Sequence, residues 1–101
     1  MIRSYADKIT EKIFKGEELS RKELKKLGEL DLAKAQQRLA ILNQATEKDL
    51  LSLHSLYYHK LKGSDFFSID ADSRKSKWRI VFAWMDETLT DVCLVQIGDT
   101  H

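Results

Sequence analysis

The hydrophobic residues of this chain recur with a helical spacing in its first half and alternate with other residues in its second half. Apolar residues at steps of three and four between residues 30 and 44 predict the strongest helix of the chain. This stripe consists of Leu32, Ala35, Leu39 and Leu42. Shorter helices are predicted over 8–15, 21–27 and 46–53, because each follows a residue that can cap it.

The run from Lys77 to Met85 is the most apolar and most β-prone part of the chain. It is rich in β-branched and aromatic residues and contains no glycine or proline. Apolar side chains occupy both of its faces, which predicts a strand at the centre of a sheet. Arg79 interrupts this pattern, and a charge there must be paired or must reach solvent in a cleft. Arg79 is therefore the first candidate functional residue.

Alternating patterns predict further strands over 57–61, 67–71 and 91–97, and a short edge or first strand over 2–5. Helices therefore precede a meander of antiparallel strands, which is typical of the α+β class, and we expect the N-terminal helices to pack on the sheet. The 101 residues are enough for one domain, over 1–101, and too few for two.

Composition narrows the class of protein. With 43% hydrophobic and 33% charged residues, the chain is expected to be soluble and compact. No apolar run approaches the roughly 18 residues of a membrane span, and the N-terminus lacks the apolar core of a signal peptide. The one cysteine, Cys93, is expected to be a reduced core thiol in a cytoplasmic protein.

The number and spacing of the glycine, cysteine and histidine residues exclude several kinds of site. The four glycines stand apart, so there is no glycine-rich phosphate loop. A single cysteine cannot form a zinc-binding pair, and the three histidines, His54, His59 and His101, lie at no standard metal spacing. We therefore predict neither a metal nor a cofactor.

Charge is segregated along the second half of the chain. Residues 57–80 contain six Lys or Arg against three acids, whereas residues 81–101 contain four acids and no Lys or Arg. The middle of the predicted sheet is therefore a cationic patch. By contrast, the lysines of the helix over 21–27 are interpreted as a solvated face.

A cationic group with histidines suits cleavage of RNA. Attack of a 2′-hydroxyl on its own phosphate spreads negative charge, which Lys and Arg stabilise while His or Lys moves protons. If the last strand lies beside the central one, Arg79 and the chain end at His101 can approach one cleft. The alternative is that these residues are ordinary solvated charges around a sheet edge.

Five segments, spread over nearly the whole chain, together match a known pattern. They are residues 1–17, Arg38–Thr46 with Asp49 and Leu50, Tyr58–Gly63, Ser68 with Ile69, and Trp78–Phe82. In this order they resemble the HigB branch of the RelE/ParE toxin superfamily. The ending Asp99-Thr100-His101 is similar to that family's terminal Asp-Tyr-His.

The resemblance implies a RelE-like fold with helices on a curved antiparallel sheet. It implies the toxin of a type II toxin-antitoxin system, a metal-independent endoribonuclease that enters the ribosomal A site, cuts mRNA and inhibits translation. The implied partners are a HigA-like helix-turn-helix antitoxin, the ribosome and mRNA, with no membrane.

The resemblance also implies roles for individual residues. Lys62 and Arg79 would stabilise phosphate and transition-state charge, and His101 would transfer protons with Asp99 orienting it. His59 matches a histidine found near that position in some members. The residues expected to contact RNA or the ribosome are His59, Lys60, Arg74, Lys75 and Lys77.

Two residues depart from the family pattern. Thr100 stands where the family has tyrosine, and the acidic Asp70 follows Ser68-Ile69 near the expected phosphate. Both favour an alternative, a catalytically weak or inactive module of the same fold that binds an antitoxin or acts on another target such as gyrase. A third possibility is an unrelated small α+β domain that shares only the pattern.

Overall fold

The computed structural model describes residues 1–99 and shows helices followed by an antiparallel sheet, as the α+β prediction requires. The helices are α1 (Lys8–Lys15), α2 (Arg21–Leu27), α3 (Leu32–Gln44) and α4 (Glu47–Ser52), and a 3₁₀ turn follows over His54–Leu56. The strands are β1 (His59–Lys60), β2 (Phe67–Asp70), β3 (Trp78–Trp84) and β4 (Val92–Asp99).

Local capping chemistry sets the helix boundaries. Ser20 and Glu23 form a reciprocal capping box at the start of α2, and Thr46 and Asp49 form another at the start of α4. The longest helix begins at Leu32, two residues later than predicted, because the Asp31 side chain accepts from the backbone N–H of Lys34.

The four strands form one sheet in the order β1-β2-β3-β4, and each neighbouring pair is antiparallel. β3 lies between β2 and β4, so the prediction of a central strand over this run is confirmed. A register shift near Val81 and Ala83 coincides with a positive φ of 54° at Leu94 in β4. This bulge locally bends β4.

The predicted first strand is replaced by a shorter arrangement. Ile2 and Tyr5 make isolated parallel bridges to Val92 and Val95 on β4. Backbone hydrogen bonds of 2.8 Å from Arg3 N to Val92 O and 2.9 Å from Ala6 N to Val95 O hold the segment in place. Residues 2–5 therefore lie along the edge of β4 without forming a regular strand.

One face of the sheet, called here the helix face, packs against the helices. Ile69, Ile80 and Phe82 are fully buried in one hydrophobic cluster with Leu39 and Leu42 of α3. The predicted stripe of α3 is thus confirmed as part of the core at Ala35, Leu39 and Leu42, whereas Leu32 is only partly buried against it. The opposite face is called here the outer face.

The prediction that Cys93 is a core thiol is wrong. Cys93 is only partly buried, because it pairs with Ala83 in the β3–β4 ladder. Ala83 alternates with Phe82 and Trp84, which belong to the helix face, so this pair lies on the outer face. An apolar run in a strand does not establish that every thiol within it reaches the core.

Candidate functional site

The outer face of the sheet carries a group of polar side chains in the middle of the sheet. His59 pairs with Ser68 between β1 and β2, and Asp70 pairs with Arg79 between β2 and β3. Directly paired residues share a face, and so do residues two apart on one strand. These four side chains therefore occupy one face, and with Tyr57 and Arg74 they form what is called here the outer-face cluster.

The centre of this cluster is a buried ion pair. The Arg79 Nε lies 3.2 Å from the Asp70 Oδ1, and the two side chains are 5% and 0% exposed. Neither carboxylate oxygen of Asp70 accepts a hydrogen bond of good geometry from the residues that the structure describes. The charge of Asp70 is thus balanced by proximity to guanidinium groups more than by directed hydrogen bonds.

The remaining donors of Arg79 hold the loop between β2 and β3. Its Nη1 donates to the carbonyls of Ser76 and Trp78, at 2.5 and 2.8 Å, and its Nη2 donates to the carbonyl of Arg74 at 3.4 Å. A buried guanidinium that is bonded in this way has little capacity left for a phosphate. In this conformation Arg79 fixes the loop rather than presenting a charge to solvent.

The exposed cation of the cluster is Arg74, which lies in the loop that Arg79 holds. Its guanidinium carbon lies 3.7 Å from the centre of the Tyr57 ring, and its Nη1 lies 3.5 Å from the Asp70 Oδ1. The Arg74 side chain is 56% exposed. Arg74 is therefore the arginine of this cluster that a ligand can reach without breaking the buried pair.

The imidazole of His59 is oriented by two contacts. Its Nδ1 lies 3.0 Å from the backbone oxygen of Tyr57, and its Nε2 lies 3.5 Å from the Ser68 Oγ. A carbonyl oxygen can only accept, so in the neutral ring Nδ1 carries the proton. The Nε2 lone pair then faces the fully buried Ser68 hydroxyl, which can donate to it.

A second basic region lies between α2 and the loop after β2. A groove of about 690 Å³ contains lysines from both segments together with the partly buried Trp78. The lysines are Lys25, Lys26, Lys75 and Lys77, and the Nζ of Lys77 lies 5.1 Å from the centre of the Trp78 ring. The predicted RNA-binding residues Lys75 and Lys77 thus line this groove and are separate from the buried ion pair.

Asp72 anchors the wall of this groove. The backbone N–H groups of Asp31 and Ser73 donate to its two carboxylate oxygens at 3.0 and 2.7 Å. Burial raises the pKa of Asp72, but the hydrogen bonds from Asp31, Ser76 and Ser73, with the nearby charge of Arg38, outweigh it and leave the pKa below its usual value. An ionised Asp72 therefore ties the loop to the start of α3.

The other predicted site residues are more dispersed. Lys62 is exposed in the turn after β1, and Lys60 is exposed opposite Phe67. Asp99 pairs with Trp78, whose side chain belongs to the helix face, so the register separates Asp99 from the face of Arg79. His101, predicted to transfer protons, lies outside the described residues.

Sequence reasoning missed four residues that the structure brings to these regions. Tyr57 and Ser68 join the outer-face cluster, and Lys25 and Lys26 join the groove. The alternation that places Phe67 and Ile69 on one face also places Ser68 on the other, so period two could have identified Ser68. The approach of α2 to the loop has no such local signal.

Among residues 1–99, no group of three or more His, Cys, Asp or Glu is arranged to hold a metal ion. Within the same residues, no helix has the length and apolar character needed to span a membrane. Comparison of the chain with models of known families, with curated proteins and with solved structures finds no match.

Proposed function

We propose that this protein is a cytoplasmic HigB-like toxin of the RelE/ParE superfamily that cleaves mRNA on the ribosome. The ordered sequence segments support the family, and the α+β architecture is compatible with it. The observation that carries the chemistry is the outer-face cluster, where an oriented imidazole and an exposed guanidinium share one face. A HigA-like antitoxin is the proposed partner that neutralises it.

The proposed reaction needs no metal. The Nε2 of His59 accepts the proton of the RNA 2′-hydroxyl, whose oxygen forms a bond to the adjacent phosphorus. The bond from phosphorus to the 5′ oxygen breaks, and a general acid protonates that oxygen. The products are a 2′,3′-cyclic phosphate and a 5′-hydroxyl end. Arg74 is assigned to the negative charge that develops on the phosphate oxygens, and Lys62, exposed in the turn after β1, keeps the phosphate-binding role that the resemblance implies for it.

The positions of Arg79 and of the groove lysines determine the roles proposed for them. Arg79 is assigned to positioning Arg74, since it is buried in an ion pair with Asp70 and its Nη1 and Nη2 donate to loop carbonyls. His101 stays a proposed proton-transfer residue from the resemblance, with Asp99 as its proposed partner, although Asp99 itself lies on the helix face, away from His59. The groove lysines, including Lys75 and Lys77, are proposed to bind the phosphate backbone of ribosomal RNA. The attraction between positive side chains and phosphates does not depend on the RNA sequence.

Induced expression in a bacterial host tests this proposal directly. Wild-type protein should arrest growth, and mapping of mRNA 5′ ends should show new ends within translated regions, while naked RNA remains intact. His59→Ala should abolish the new ends. His54→Ala is the matched control, because His54 is an exposed histidine of the 3₁₀ turn outside the cluster. New ends that persist unchanged in His59→Ala would remove His59 from the mechanism.

One observation favours the alternative of a non-catalytic binding module. The arginine expected to contact phosphate is buried against Asp70, so the outer face offers less free positive charge than its sequence suggests. In that case growth arrest would occur with intact transcripts, or the protein would bind its antitoxin without arresting growth. The same mapping experiment separates the two functions, since cleaved transcripts are expected from only one of them.

A further inference from the structure

Tyr57 presents a large aromatic surface at the edge of the outer-face cluster. It is 48% exposed, and its φ of 52° and ψ of 49° place it in the left-handed region between the 3₁₀ turn and β1. The His59 ring approaches it edge-on, with ring centres 5.0 Å apart. On the side where Arg74 lies, the ring is covered by a single guanidinium rather than by the hydrophobic core.

The Arg74 side chain is weakly restrained, while its backbone is fixed. The guanidinium lies 3.5 Å from an Asp70 oxygen that accepts no hydrogen bond from the described residues. The backbone carbonyl of Arg74, by contrast, accepts from the buried Arg79. Arg74 can therefore turn away from the Tyr57 ring without any change in the loop that carries it.

We propose that Tyr57 and Arg74 form a clamp for one unpaired nucleotide of single-stranded RNA. The base stacks on the Tyr57 face that Arg74 now covers, and the Arg74 guanidinium turns to pair with that nucleotide's phosphate. Aromatic rings bind any base through its π face, and arginine matches phosphate with a planar fork of donors. This inference rests on the proposed function for its substrate class, and it deepens that function by assigning a binding site for one nucleotide beside His59.

The clamp gives the two arginines of the cluster, Arg74 and Arg79, separate roles. Arg79 holds the backbone of Arg74, and Asp70 balances Arg79 and attracts Arg74. When the Arg74 guanidinium leaves for a phosphate, Asp70 retains its contact with Arg79. The base would then lie beside His59, next to the imidazole that is proposed to accept the 2′-hydroxyl proton. The clamp thus determines which phosphodiester reaches His59.

The test is a fluorescence titration of the full chain with a six-nucleotide RNA that carries 2-aminopurine, without ribosomes. Wild-type protein should quench the 2-aminopurine saturably. Tyr57→Phe should keep the affinity, whereas Tyr57→Asn, which suits a left-handed backbone, should weaken it about tenfold or more. Arg74→Lys should weaken it less than Arg74→Ala, which should also lower the slope of log affinity against log salt by about 0.7.

Arg21→Ala serves as the matched control, because Arg21 is an exposed arginine at the start of α2. Circular dichroism of each variant verifies that it is folded. Equal affinity of wild type and Tyr57→Asn would overturn the clamp, and so would the absence of saturable quenching by the wild type. Quenching that depends on Tyr57 in a protein that cuts no mRNA would support the clamp and reject only the proposed nuclease.

Discussion

Arg79 lies directly opposite Asp70 in the β2–β3 ladder, with its Nε 3.2 Å from the Asp70 Oδ1, and both side chains are closed off from solvent. The sequence predicted that Arg79 is either paired or reaches solvent in a cleft, and the structure shows that it is paired. The pair lies in the layer between the sheet and the loop that carries Arg74. The outer face therefore depends on a buried charge that ligands cannot reach directly.

Removing Arg79 should destabilise the protein strongly, because Asp70 would remain a buried carboxylate whose ion-pair partner among residues 1–99 is then the exposed Arg74 guanidinium, 3.5 Å away. For Arg79→Ala we expect a loss of about 3–5 kcal/mol in the free energy of unfolding, measured by urea denaturation. The double variant Arg79→Ala with Asp70→Ala should cost clearly less than the sum of the costs of Arg79→Ala and Asp70→Ala measured separately. Additive costs would mean that the pair carries no coupling energy.

Loss of the His59 imidazole should reduce mRNA cleavage far more than it reduces binding. Removal of a general base typically costs about 10²–10⁴-fold in rate, so His59→Ala should slow single-turnover cleavage on programmed ribosomes by that order. Sedimentation with ribosomes should be unchanged. The His54→Ala control should cleave at the wild-type rate, and an equal loss in both variants would point to a general effect on folding.

The groove lysines should control attachment to the ribosome. The double change Lys25→Glu with Lys26→Glu introduces repulsion from the RNA backbone, so co-sedimentation with ribosomes should weaken and become less dependent on salt. Lys8→Glu with Lys48→Glu alters the net charge of the chain by the same amount at exposed positions outside the groove. If this control weakens binding equally, overall charge rather than the groove explains the attraction.

The ionisation of Asp72 should make the stability of the protein depend on pH. Because its pKa is lowered in the folded protein, its ionised form contributes stability above the unfolded pKa of about 3.9, and this contribution is lost as pH falls through the folded pKa. Asp72→Asn should therefore reduce the urea midpoint at pH 7 and differ less from wild type near pH 3. Asp65→Asn, at an exposed position, is the control and should follow wild type at both values.

The hydroxyl of Tyr58 joins α4 to the sheet and should contribute to stability. It donates to the Glu47 carboxylate at 2.6 Å and accepts from the Trp84 Nε1 at 2.9 Å. Tyr58→Phe removes the hydrogen-bond partner of both Glu47 and Trp84 at a partly buried position. This change should lower the free energy of unfolding, measured by thermal unfolding, by about 1–3 kcal/mol. Tyr57→Phe is the matched control, because no hydrogen bond of the Tyr57 hydroxyl is seen among the described contacts.

The parts of this fold that sequence predicts well are those that depend on neighbouring residues. The capping box of Ser20 and Glu23 and the αL glycine at Gly16 fix helix ends within a few residues of the chain. Alternation in Trp78–Trp84 likewise assigns faces to the central strand. Hydrogen bonding and pleating act at short range, so the sequence carries these features directly.

The candidate site was less predictable, because its contacts join segments that are far apart in the chain. The presence of Arg79 in a strand indicated either a pair or a cleft, but nothing near it shows that Asp70 is the partner or that the loop carbonyls accept from its Nη1 and Nη2. The approach of Lys25 to Lys75 depends on how α2 packs against the sheet. Such long-range contacts follow from tertiary packing, which short sequence patterns do not encode.

The segment at residues 1–6 covers one edge of the sheet and so makes the two edges different. Its backbone hydrogen bonds occupy the edge of β4 that faces away from β3. Within residues 1–99, the opposite edge of the sheet consists of the two residues of β1 and the end of β2 beyond them. An edge this short offers few free backbone groups, which disfavours the edge-to-edge pairing of sheets that leads to aggregation. A peptide that joins the sheet there as an extra strand would pair with β1 or with the end of β2, next to His59.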